Sequence, residues 1–261
     1  MNKSDSNVLK PSKIELDNLL KLYQDQKFIE AENLCLSIIK KYPNYQFTWK
    51  ILSAVLKNNG KINDSLVACR KSIELRPEDS EAHFNYGYIL KQLGKLEEAK
   101  LSYEKAIELK PNNSQAYSNL GNIFKELGNY KDAENNYKKA LSVNPTYAET
   151  HYNLGVILKE LGRIKESEMY IKKSLEIKPN YLEAEHLYSA LKGLTTNSAP
   201  RAYVENLFDK FAINFEESLV EKLEYRIPKK IAEIIIPKNQ DISLGSILDL
   251  GCGTGLIGNE L

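Results

Sequence analysis

With 261 residues the chain has room for one large domain or two ordinary ones, and its 36 basic and 35 acidic side chains leave a net charge of +1. No global field therefore draws it to nucleic acid or to an anionic lipid surface, and neither is expected as a partner. No stretch approaches the ~20 apolar residues of a membrane span, the polar opening MNKSDSNVLKPSK has no apolar core of signal-peptide length, and three cysteines without a CxxC fit a reducing compartment and no zinc site. The location expected on these grounds is cytoplasmic.

Residues 1–11 read as a disordered leader. Beyond them a ruler is laid along the chain: Pro43, Pro77, Pro111, Pro145 and Pro179 stand 34 residues apart, and Gly60, Gly94, Gly128 and Gly162 keep the same step. The period divides the chain into units 12–45, 46–79, 80–113, 114–147 and 148–181, with a capping helix over 182–192. Within a unit, numbered here from Ser80 as position 1, the apolar residues recur at helical spacing, as Leu96, Ala99, Tyr103, Ala106 and Ile107 do, and build one apolar face on a second helix. The glycine is expected to end the first helix, and the proline to stand just past the second, whose interior it would break. One such pair cannot bury its own face, so the units must stack. The first unit is degenerate, with Gln26 in the glycine column and Glu15 at position 4, as a terminal unit facing water can be. Trp49, His83 and His151 sit at position 4, an aromatic slot, and we read them as packing residues.

The columns can be compared with a known pattern. Positions 7 and 8 read Leu52-Ser53, Tyr86-Gly87, Leu120-Gly121 and Leu154-Gly155, and position 11 reads Leu56, Leu90, Phe124 and Leu158. Position 20 is small (Ala31, Ser65, Ala99, Ala133, Ser167), and position 24 holds Cys35, Cys69, Tyr103, Tyr137 and Ile171, so the first two cysteines read as core filling. This resembles the tetratricopeptide repeat family. The resemblance implies an all-α superhelical array, an α-α solenoid, whose first helices line a concave groove that binds a peptide or protein. Position 6 is Asn85, Asn119 and Asn153, and position 12 is Lys57, Lys91, Lys125 and Lys159. An asparagine amide both donates and accepts, so a ladder of them can hold an extended backbone whatever its sequence. The ladder resembles that in the repeats of the O-linked N-acetylglucosamine transferases. The lysines favour an acidic partner, while Glu126 and Glu160 beside them blunt that charge. The alternative is a merely solvated helix face.

Residues 193–202, GLTTNSAPRA, read as a linker, and the residues after it leave the ruler. Over 203–261 the pattern predicts a helix at Tyr203 to Leu223, another from Pro228 to Ile236, and a short strand, SILDL, running into Gly251-Cys252-Gly253-Thr254-Gly255. Leu256 stands where a dinucleotide fingerprint needs glycine, and no lysine follows as in a phosphate-binding P-loop. LDLGCGTG resembles the first motif of class I S-adenosylmethionine-dependent methyltransferases, and the segment before it is similar to predicted methyltransferases that carry tetratricopeptide repeats. By that resemblance S-adenosylmethionine is the cofactor, Asp249 meets its methionine amino end, and Gly251, Cys252, Gly253 and Gly255 line it. Residues 203–261 are then the incomplete N-terminal part of an α/β Rossmann-like domain. The acid that would hold the ribose and the remaining parallel strands are not in it, so the 261-residue chain is expected to be inactive by itself and its parent to be the methyltransferase. The alternative is a non-catalytic interaction scaffold.

Overall fold

A computed structural model describes residues 10–194. They form eleven α-helices, and no strand occurs among the described residues. In chain order these are α1 (Lys13–Gln24), α2 (Phe28–Lys41), α3 (Gln46–Asn58), α4 (Ile62–Leu75), α5 (Ser80–Gln92), α6 (Leu96–Leu109), α7 (Ser114–Glu126), α8 (Tyr130–Val143), α9 (Ala148–Glu160), α10 (Ile164–Ile177) and α11 (Leu182–Leu191). The chain divides into two compact units, 1–184 and 185–261, the second described only over 185–194. Residues 1–9 of the expected leader, the linker from residue 195 onward, and the helices, strand and glycine turn expected over 203–261 lie outside the described residues.

Each first helix ends in the same hydrogen-bonded turn. At the end of α5 the Gly94 N–H donates to the Lys91 carbonyl and the Lys95 N–H to the Leu90 carbonyl, with Gly94 at φ 71°. This is the Schellman arrangement, which needs a left-handed residue and so favours glycine. Gly60, Gly128, Gly162 and Gly193 repeat it. In the first unit Gln26 takes the same turn at φ 57°, its N–H donating to the Tyr23 carbonyl and the Lys27 N–H to the Leu22 carbonyl. The array therefore imposes the turn even where the residue resists it.

The turn between units is tied from the aromatic slot. Trp49 Nε1 donates to the Pro43 carbonyl at 2.7 Å, and the Nε2 atoms of His83 and His151 lie 2.8 Å from the carbonyls of Pro77 and Pro145. A carbonyl only accepts, so both imidazoles carry their proton on Nε2. Indole and imidazole thus serve alike six residues after the proline, while Tyr117, which fills the slot after Pro111, has no ring N–H. Charged ties also cross between units. Lys61 reaches Glu32 at 2.7 Å, and Arg163 holds both oxygens of Glu134 at 2.8 Å. Burial pushes the Glu134 carboxyl up, but Lys138 and Arg163 outweigh it and the net shift is downward.

The two helices of a unit meet where position 8 faces position 24. A Cβ added at Gly121 would lie 2.6 Å from the Tyr137 ring, one at Gly155 would lie 2.5 Å from Ile171, and one at Gly87 would lie 3.1 Å from Tyr103. Glycine is needed there because the facing side chain takes the space. Where position 24 shrinks to Cys69, position 8 grows to Ser53, and where it is Cys35, position 8 is Leu19. All four side chains are buried. Small position-20 residues let the backbones approach, and the serines there use the space: Ser65 Oγ donates to the Ser53 carbonyl and Ser167 Oγ to the Gly155 carbonyl, both at 2.7 Å.

Gly121→Ser should cost about 1–3 kcal/mol by overpacking against Tyr137, seen as a lower unfolding midpoint. The double variant Gly121→Ser/Tyr137→Cys copies the Ser53–Cys69 pairing and should be less destabilised than the two single effects summed. Strict additivity would show that the contact does not set the helix spacing.

Candidate functional site

Positions 6, 9 and 12 lie three residues apart and therefore share one face of each first helix. Asn85, Asn119 and Asn153 are half-buried on it, but they are not equivalent. Asn153 Nδ2 donates to Asn122 Oδ1 at 3.1 Å, and the Tyr137 hydroxyl donates to the same oxygen at 2.7 Å. Asn122, at position 9, thus closes a small network between two units. One unit earlier position 9 is Tyr88, which has no amide oxygen to offer. There the Tyr103 hydroxyl is buried without a partner, and among the described residues no hydrogen bond engages the amides of Asn85 or Asn119. Burial first, then Tyr88 and Glu126, push the Tyr103 phenol above its ordinary range. An amide half-withdrawn from water with no intramolecular partner is free to bond a ligand backbone.

The lysine column is also uneven. Lys91 pairs with Glu126 at 2.9 Å across the unit boundary, and Lys159 with its neighbour Glu160 at 3.2 Å. Lys57 instead places its ammonium 4.9 Å from the centre of the Tyr88 ring. Lys125 has no carboxylate within 4.0 Å among the described residues, and burial, together with Lys91, holds its pKa below the usual lysine range. Further toward the N-terminus Lys50 is held by Asp79 at 3.2 Å and Glu81 at 2.8 Å, and these acids more than offset the burial that would otherwise lower its pKa.

Between α1, α3 and α5 the same side of the array is hollowed into a concavity of about 280 Å³. Its apolar lining comes from Tyr23, Phe47, Ile51 and Tyr88, and Asn85 and Lys57 stand in it too. The sequence reading passed over this lining, because Tyr23, Phe47, Ile51 and Tyr88 occupy four different positions of three units and form no column. It also passed over Asn122. A signal for that one was present, since Asn122 lies three residues beyond Asn119 on the same helix face.

Cys35 and Cys69 are buried, and burial pushes both thiols up to about 12, which keeps them protonated and inert. Among the described residues no three His, Cys, Asp or Glu side chains gather as a metal site, and no helix is long and apolar enough to cross a membrane. Asp249, Gly251, Cys252, Gly253 and Gly255 lie outside the described residues.

Two matching substitutions probe the uneven network. Tyr137→Phe removes the shorter of the two bonds that Asn122 accepts and should lower stability by about 0.5–1.5 kcal/mol, whereas Tyr103→Phe deletes a hydroxyl that has no partner and should be neutral or stabilising. Equal losses in denaturant unfolding would contradict the difference between the two sites.

Models described as TPR repeat match residues 87–128 and 121–162, and models described as tetratricopeptide repeat match 68–100 and 148–181. No curated protein matches the chain. Solved structures do. MamA is 22% identical over 67% of this chain and 99% of its own, with a TM-score of 0.59. YrrB, described as a TPR protein with an unusual peptide-binding site, is 16% identical over 68% of this chain and 91% of its own, also at 0.59. TTC0263, described as a thermophilic TPR protein in Thermus thermophilus, is 20% identical over 69% of this chain and 97% of its own, at 0.53. At these identities the likeness concerns the fold, and on sequence and fold alike the described array is built of tetratricopeptide repeats.

Proposed function

We propose that the array is a peptide-binding module, holding an extended segment of a partner protein along the face of its first helices. The observation that carries this is the pair of half-buried amides, Asn85 and Asn119, one unit apart and without intramolecular partners. Each offers a donor and an acceptor to a passing backbone, and water cannot solvate them as fully as it would an exposed amide. Asn153, already engaged by Asn122, contributes less. The YrrB structure, named for its peptide-binding site, lends support by likeness of fold.

The test uses peptides enriched on the full chain from a random dodecapeptide display library, then synthesised with a fluorescent label. The variant Asn85→Ala/Asn119→Ala should weaken them roughly tenfold or more, since two amides lose about 0.5–1.5 kcal/mol for each bond, with helicity unchanged by circular dichroism. Asn153→Ala should weaken them less. Undiminished affinity in the double variant would refute the reading.

A second reading concerns the C-terminal stretch and rests on LDLGCGTG. In it the repeats bring a partner to a methyltransferase domain that uses S-adenosylmethionine, with Asp249 at the methionine amino end and Gly251, Cys252, Gly253 and Gly255 along the cofactor. Without that domain the repeats act as a scaffold. Calorimetry of S-adenosylmethionine with a protein that extends beyond residue 261 decides between them. Binding that is lost in both Asp249→Ala and Gly253→Val supports the enzyme, while absence of binding, or affinity unchanged in both, supports the scaffold.

A further inference from the structure

The groove also carries a preference among peptides, written in which of its charges are already neutralised. Along the first-helix face Glu81 is taken by Lys50 at 2.8 Å, Glu126 by Lys91 at 2.9 Å, and Glu160 by Lys159 at 3.2 Å. Asp17, in the position-6 column of α1, stands outside these pairs and does not line the concavity. What remains is cationic. Lys57 rests on the Tyr88 ring, and Lys125 has neither a carboxylate nor a ring against it among the described residues. Lys125 is half-buried, so it has lost part of its hydration, and its neighbour Glu126, the carboxylate that acts on it, is drawn into the ion pair with Lys91. A carboxylate arriving there restores what burial removed, and it does so where screening by water is weaker than at an exposed lysine.

The concavity adds an apolar requirement. At about 280 Å³ it falls just under the smallest small-molecule pockets, roughly 300 Å³, and so suits one side chain of a longer ligand. Tyr23, Phe47, Ile51 and Tyr88 give it walls for an aromatic or branched aliphatic group. Lys57 stands at the same place, and Lys125 lies two first helices farther along. Packed helices are roughly 8–10 Å apart and an extended residue spans about 3.3–3.6 Å, so the two stations are separated by roughly five or six residues.

We infer that the groove selects an acidic extended peptide anchored by one apolar side chain. The anchor enters the concavity between α1, α3 and α5, one carboxylate meets Lys57 beside it, and a second meets Lys125 roughly five or six residues away. This rests on the peptide-groove reading and names the class of peptide that the groove takes.

The same library answers the question. Enriched dodecapeptides should share a Phe, Trp, Leu or Ile and, roughly five or six residues from it, an Asp or Glu. In fluorescence anisotropy Lys125→Glu should weaken such a peptide roughly tenfold, and a peptide with that acid replaced by lysine should recover affinity for the variant. Phe47→Ala/Tyr88→Ala should weaken peptides with the anchor and leave those with alanine in its place unaffected. A basic or uncharged consensus, or Lys125→Glu weakening acidic and neutral peptides alike, overturns the inference. If such peptides still depend on Asn85 and Asn119, the groove reading survives that result. If no peptide is enriched, or binding ignores both asparagines, the groove reading falls and this inference falls with it.

Discussion

The array depends on one contact, repeated in every unit: position 8 of the first helix against position 24 of the second. The contact fixes how closely two backbones pass, and the chain meets it with glycine against tyrosine or isoleucine, serine against cysteine, and leucine against cysteine. The larger side chain can come from either helix, from the first in Leu19 and from the second in Tyr103, Tyr137 and Ile171. Once the spacing within a unit is set, the Schellman turn fixes the angle at the end of the first helix, and at three of the turns between units a ring-to-proline bond holds the other. Successive units then stack by one repeated step.

That repetition explains why the candidate groove is readable as columns and why its interest lies where the columns break. In the fourth unit Asn122 accepts from both Tyr137 and Asn153, which closes that small network. In the third, Tyr88 replaces that acceptor, walls an apolar concavity and carries Lys57 on its ring. A single change of residue at one position thus turns a closed polar patch into an open one beside an apolar pocket. Lys125 follows the same logic, since its neighbour Glu126 is drawn to Lys91 of the preceding unit.

The sequence made the architecture legible because two residue types with opposite backbone demands, glycine and proline, keep one period. The first turn shows the limit of reading residues singly: only the period marks Gln26, a residue that disfavours φ 57°, as the equivalent of the glycines. Trp49, His83 and His151 were recognisable as one column, but packing was an incomplete account of it, because the ring N–H bond to a proline carbonyl is a tertiary contact that no propensity records. The lysine column was visible and its pairings were not. Lys91 reaches a glutamate of the next unit while Lys159 takes its immediate neighbour, and sequence distance does not distinguish the two. The walls of the concavity were illegible for a geometric reason, since they converge only when three units are stacked. The cofactor residues proposed at Asp249 to Gly255 rest on their motif, outside the described residues.

Because the position 8–24 contact closes inside each unit, a change on one side can be answered within the same thirty-four residues and need not propagate along the solenoid. Leu19 with Cys35 and Gly121 with Tyr137 are two such local settlements, coexisting in one chain. Several ties that cross unit boundaries, Lys61 with Glu32 and Lys91 with Glu126 among them, are charged and partly exposed, where substitution is more easily absorbed. A lineage could therefore duplicate, delete or exchange whole units while keeping each core intact, and alter the groove one station at a time.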